Sequence, residues 1–152
     1  MIRVVVCSWQ IAIALSVQLA AQPPPGWIGT WKLNVVKSTS AVPLPYKRGT
    51  RKIVTGPDGA ITIIDDLVRT RGGILHLEWT GKLDGLDYPV QGVEVVLTNA
   101  YRRVEDRIYE LVQKLDGRVI ATARLAISAD SNVLTVVPTG STQAATTVYD
   151  RQ

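Results

Sequence analysis

Apolar and polar residues alternate with a period of two along most of the chain, and no stretch of a dozen residues holds a capped 3.6-residue apolar repeat. The pattern predicts strands and no secure helix. Runs rich in Val, Ile, Thr and Tyr span 29–36, 49–55, 60–69, 74–82, 93–98, 100–104, 107–115, 118–128, 133–138 and 144–151. Between them stand turn formers: Gly56-Pro57-Asp58-Gly59, Arg71-Gly72-Gly73, Asp84-Gly85, Glu105-Asp106, Asp116-Gly117 and the segment from Ser128 to Asn132. Short strands joined mostly by tight turns make an antiparallel meander with two exposed edges. Closure removes both edges at once, whereas a sandwich needs longer crossings between sheets. The expected fold is all-β, a single antiparallel up-and-down β-barrel of about 8–10 strands.

The same alternation sorts side chains into inner and outer sets. In 107–115, Glu110 and Lys114 share one face, so Tyr109, Leu111 and Gln113 take the other. Leu75, Leu77 and Trp79 stand opposite His76, Glu78 and Lys82, and Ala121, Ala123 and Leu125 stand opposite Thr122 and Arg124. These nine inner residues are the candidate ligand-lining set, with plain core packing as their other use. Small inward residues such as Ala121 and Ala123 leave volume unfilled, which implies a cavity.

Before the first strand the pattern changes. Arg3 gives a positive start, Val4 to Leu19 an apolar run, and Ala20-Ala21 the small residues of a cleavage site, so 1–21 reads as a signal peptide. The run is short for a membrane span, and polar, proline-rich sequence follows it, so export without a stable membrane anchor is expected, to the periplasm or the exterior. Residues 22–28 form a proline-rich linker that delivers Trp27 and then Gly29-Thr30-Trp31 into the first strand of a single domain, 29–152. Cys7 is the one cysteine and goes with the leader, so no disulfide framework supports the domain.

Composition and charge narrow the chemistry. Apolar residues are 46% and charged residues 20% of the chain, which is globular composition, while the absence of Phe puts the core's bulk on Val, Ile, Leu, Trp and Tyr. A net charge of +4 spread along strands argues weakly for nucleic acid. Tyr46 with Lys47-Arg48, and Tyr101 with Arg102-Arg103, could form a basic aromatic patch, but export speaks against a nucleic-acid partner. His76 is the one histidine, which excludes a multi-histidine metal site, and no cofactor is expected. His76 with Glu78 could act as an acid/base pair, or be an exposed polar pair. Asp84 and Asp87 could attract a hard cation, or serve a turn. Asp65 and Asp66 point to opposite faces of a strand, which stops them acting together and leaves one to face the lumen. A Gly-x-Ser-x-Gly elbow and a glycine-rich phosphate loop are both missing, so no catalytic constellation is recognised.

Gly29-Thr30-Trp31-Lys32-Leu33-Asn34 with Lys37-Ser38, the block from His76 to Gly92 containing Asp84-Gly85-Leu86-Asp87-Tyr88-Pro89-Val90, and the closing Val148-Tyr149-Asp150-Arg151-Gln152 carry a resemblance. The chain resembles small secreted lipocalin-like (calycin-like) bacterial proteins, as in Acidobacteria. That resemblance implies a barrel and export but no particular activity. A closed meander pairs 29–36 with 144–151 and brings Arg151 toward Trp31. Lipocalins use a comparable arginine–tryptophan contact, so the resemblance gives Gly29, Trp31 and Arg151 structural roles. The expected function is a monomeric barrel that holds a small, largely apolar molecule in its lumen. The alternative is a non-enzymatic envelope or protein-interaction module with a filled barrel.

Overall fold

The computed structural model describes residues 26–140 and 145–152; the leader and the proline run lie outside the described residues. Ten strands follow in chain order: β1 (Gly29–Leu33), β2 (Tyr46–Thr55), β3 (Ile61–Arg69), β4 (Ile74–Gly81), β5 (Tyr88–Gln91), β6 (Leu97–Glu105), β7 (Ile108–Leu115), β8 (Arg118–Ile127), β9 (Val133–Pro138) and β10 (Thr147–Arg151). Every strand pairs antiparallel with its sequence neighbours, and β1 pairs with β10, so the sheet is a closed up-and-down barrel. The register Trp31↔Arg151, Lys32↔Asp150 and Leu33↔Tyr149 makes the closing seam. Among the described residues the one helical element is a single 3-10 turn, Pro57–Gly59, and no helix is long and apolar enough to cross a membrane.

Two strand assignments need correction. Residues 93–98 and 100–104 were expected as separate strands, yet 97–105 run as one, and 88–91 form a strand the pattern hid. Asn99 does not break β6 because its polar groups are used: its side-chain oxygen accepts from Gln113 Nε2 at 3.0 Å and its carbonyl from Trp79 Nε1 at 3.0 Å. A buried amide so satisfied is compatible with a strand interior. Pro89 fits β5 because the strand is four residues long and its ladder is sparse. The first and last strands are also shorter than expected: β1 ends at Leu33 and Val35 to Lys37 form a turn, and β10 starts at Thr147.

The interior has two halves. At one end Trp27, fully buried, stacks on Tyr109 with ring centroids 4.1 Å apart and planes 3° from parallel. Ile53, Ile61, Leu125, Ile127 and Leu134 pack around them. Trp27 belongs to the stretch read as linker, so the packed unit extends N-terminal to Gly29. A large indole with a cavity to fill is worth a few kcal/mol of burial, enough to fix a short segment that has no strand pairing of its own.

Arg151 ties that end together. Its Cζ lies 4.3 Å from the Trp31 ring centroid. Nε donates to the Ser131 carbonyl at 2.5 Å, Nη1 to the Ile28 carbonyl at 2.9 Å, and Nη2 to the Gly26 carbonyl. Trp31 Nε1 in turn donates to the Trp27 carbonyl at 3.1 Å. Gly29 makes room for this arrangement: its φ is 150°, and a Cβ there would strike Arg151 Nη1.

Candidate binding site in the barrel lumen

The other half of the interior, away from Trp27, holds a cavity of about 200 Å³. Its apolar wall comes from Ile63, Leu67, Leu77, Trp79, Val90 and Leu111. Its polar wall is Arg51, Asp65, Asn99, Tyr101, Gln113 and Tyr149. Alternation puts each of these inward, because Gly49, Arg51 and Ile53 share a face of β2, as do Ile63, Asp65 and Leu67 of β3. The register then sets Arg51 directly opposite Asp65.

That cross-strand pair dominates the electrostatics. Arg51 Nε and Nη2 donate to the two Asp65 oxygens at 2.7 and 2.8 Å, a bidentate fork, and each side chain is only 12% exposed. Burial alone would pull the guanidinium down, but the Asp65 charge, with smaller help from Tyr149 and Tyr101, holds it well above its ordinary value. The remaining nitrogen, Nη1, is buried and has no acceptor among the described residues. The Tyr149 ring centroid lies 5.4 Å from Arg51 Cζ. Burial pushes Tyr101 up to about 12 and raises Tyr149, so both line the cavity as neutral phenols. An aromatic series crosses the interior: Trp27 meets Tyr101 edge-on at 6.0 Å, and Tyr101 meets Trp79 edge-on at 4.6 Å.

The nine residues read as ligand-lining are distributed as follows. Leu77, Trp79, Leu111 and Gln113 line the cavity together. Tyr109 and Leu125 are fully buried in the packed end beside Trp27 rather than against the cavity. Leu75 is half-buried opposite Leu67, at the start of β4. Ala121 is exposed and Ala123 half-buried; Ala123 contributes to an outer groove of about 530 Å³ with Glu110, Val112, Thr122, Arg124, Val137 and Thr139. Neither alanine is among the residues that line the cavity. Arg51 was missed, although it shares the inward face of β2 with the buried Ile53.

The polar candidates elsewhere serve the surface. His76 Nδ1 lies 2.7 Å from Asp66, not bonded to Glu78, on the exposed outer face, and that hydrogen bond raises the imidazole's pKa. Asp84 accepts from the Leu86 N–H at 3.0 Å and the Tyr88 hydroxyl at 2.8 Å, which is a turn role. Asp87 pairs with Lys114 at 2.7 Å. Among the described residues no group of three or more His, Cys, Asp or Glu side chains converges as a metal set.

Fold and lumen together define a closed up-and-down β-barrel: ten antiparallel strands around a small cavity. Two solved structures of the fluorescent protein UnaG share this fold. A point mutant matches with a TM-score of 0.60 and 19% identity over 84% of this chain and 96% of its own. The wild type matches with a TM-score of 0.56 and 17% identity over 83% and 97%. No family model and no curated protein matches the sequence.

Proposed function

We propose that the protein is an exported barrel that binds one small, largely apolar molecule in its lumen. The observation that carries this reading is the cavity of about 200 Å³ with an aliphatic and indole wall in half of an otherwise packed barrel. It is smaller than the roughly 300–1,000 Å³ of sites for drug-sized ligands, so the occupant is compact. Export rests on the sequence of the leader, and a mature chain beginning near Gln22 is its mark. Native mass spectrometry of protein recovered from its natural compartment, with organic extraction, tests the reading. The expected result is a mass increment that extraction removes; bare protein with no extractable molecule counts against it.

A second reading, an interaction module, draws on the exposed apolar residues Val119 and Ile120 of β8 and Val137 of β9.

A further inference from the structure

The two ends of the barrel differ in what they expose. The antiparallel order places the β1–β2, β3–β4, β5–β6, β7–β8 and β9–β10 connections at one end, and Trp27, just before β1, at the other. Tyr46 and Thr147, the first residues of β2 and β10, line the cavity, which therefore reaches toward the end that Trp27 does not fill. Among the described residues eleven large aliphatic side chains are exposed. Nine lie in the connections at the cavity end or within three residues of them, and two, Leu86 and Val104, at the other. Val36, Ile74 and Val96, from three separate connections or their margins, are 91%, 75% and 66% exposed. Exposed aliphatics scattered singly need no explanation, but their segregation to one end marks a contact surface.

Charge is segregated the same way. At the cavity end the exposed Lys37, Lys47, Arg69, Arg71 and Arg118 stand against Glu94 and Asp116. Of these five cations only Lys37 has an acidic partner among the described residues, Asp150 at 2.8 Å. In the connections at the far end Asp58, Asp84, Asp106 and Asp130 outnumber Lys82 and Arg107. The barrel is thus polarised, and an anionic surface would meet it cavity end first. A cleft of about 410 Å³ at that end has residues 42–45, two of them proline, on one wall and 69–71 on the other. It sets apolar surface beside two guanidinium-bearing residues, the pairing that a lipid's acyl chain and phosphate require. A protein interface gathers its apolar residues into one packed core. Here they come a few per connection with cations between them, which a fluid bilayer accommodates without a complementary shape. We infer that this end of the barrel docks reversibly on an anionic lipid bilayer, its aliphatic tips entering the headgroup region and its cations meeting lipid phosphates. The docking does not require an occupied lumen.

The test sediments the chain, as recovered after export, with vesicles of phosphatidylcholine alone or mixed with phosphatidylglycerol at about 7:3. Each basic residue near an anionic surface is worth about fivefold in binding, so the mixed vesicles are expected to bind at least about tenfold more tightly. Two double variants then locate the contact. Ile74→Asp/Val96→Asp and Leu86→Asp/Val104→Asp add the same charge at exposed positions, the first pair at the cavity end and the second at the far end. The first is expected to weaken binding at least about tenfold, because it also removes two aliphatic tips. The second should cost less than about threefold, its charges being screened over the length of the barrel. Arg69→Gln/Arg71→Gln should erase most of the preference for phosphatidylglycerol while leaving binding to phosphatidylcholine unchanged. Equal losses from the two aspartate pairs overturn the inference, and so does indifference to phosphatidylglycerol. Sedimentation with neither vesicle overturns it too and leaves this end to a protein partner. Should the recovered chain retain residues 1–21, which would themselves enter lipid, amide hydrogen exchange on the mixed vesicles decides: protection of 92–96 above 82–87 supports the docking, and equal protection overturns it.

Discussion

Arg151 shows how much one residue at a chain end can hold. Its guanidinium lies on the Trp31 ring and donates to three carbonyls from two segments, Gly26 and Ile28 before β1 and Ser131 in the β8–β9 turn. Hydrogen bonds to a charged group are worth about 1.5–3 kcal/mol each where partly buried, and the cation–π contact adds about 0.5–2 kcal/mol. These contacts share one side chain and are not additive, so Arg151→Ala is expected to cost about 2–4 kcal/mol. Arg102→Ala is the control, because Arg102 makes an exposed ion pair with Glu110 at 2.6 Å. Such pairs are worth about 0–1 kcal/mol, and equal melting temperatures for the two variants would remove Arg151 from this role. Tyr101 supports a second measurement. An unfolded tyrosine ionises near pH 10, and burial pushes Tyr101 up to about 12. Below pH 10 the unfolded and folded forms hold the same proton; between about 10 and 12 the unfolded form has released it and the folded form has not. Stability should fall across that window, and less steeply in Tyr101→Phe; denaturant midpoints from pH 9 to 12 check both. At this scale the sequence was partly legible. Alternation separated Asp65 from Asp66, and applied once more it would have found Arg51. Nothing in a one-dimensional pattern says that two inward charges on neighbouring strands fall in register.

Elements were read well where periodicity is strong and poorly where function or turn chemistry interrupts it. β3, β4, β7 and β9 match expectation within about a residue. The region from Asp84 to Asn99 did not, because Asp-Gly, Pro89 and Asn99 all read as breakers. Asn99 is a breaker only when its polar groups lack partners, and here it is bonded from Trp79 and Gln113. Closure was legible for a different reason: an even meander with exposed edges has few other ways to hide them. The seam itself can be tested. Lys32 and Asp150 are register partners on the outer side of β1 and β10, and directly opposed antiparallel residues have Cα separations of about 4.5–5.5 Å, within disulfide reach. In a Cys7→Ser background, Lys32→Cys/Asp150→Cys should oxidise spontaneously. The bridge is expected to stabilise by about 2–4 kcal/mol, less whatever is lost with the Asp150 contacts to Asn34 and Lys37. A pair that stays reduced in air would put the two strands out of register.

At the scale of the whole molecule the barrel is neither filled nor hollow but divided. Trp27 is the divider, fully buried and stacked on Tyr109, with the packed aliphatics on its side and the cavity beyond Tyr101 and Trp79. The division was the least legible feature, because Trp27 lies outside any strand and its burial depends on where the closed sheet leaves room. It has a mechanical consequence. Removing a side chain from a packed region leaves a void that neighbours cannot collapse into, whereas removing one from the wall of an existing cavity only enlarges it. Trp27→Ala is therefore expected to destabilise by about 3–5 kcal/mol, and the strap from Arg151 to Gly26 and Ile28 would loosen with it. Leu77, half-buried on the cavity wall, should cost only about 1–2 kcal/mol as Leu77→Ala, below the roughly 2–5 kcal/mol of a packed core leucine. The same two variants should part company in binding. Leu77→Ala enlarges the lumen and should admit a bulkier apolar probe than the parent does, while the main effect of Trp27→Ala should be its loss of stability. Denaturant unfolding of both, with toluene and cumene titrated in parallel, checks the pair of expectations. Equal losses of stability would mean that the two halves are packed alike and that the cavity does not govern the wall around it.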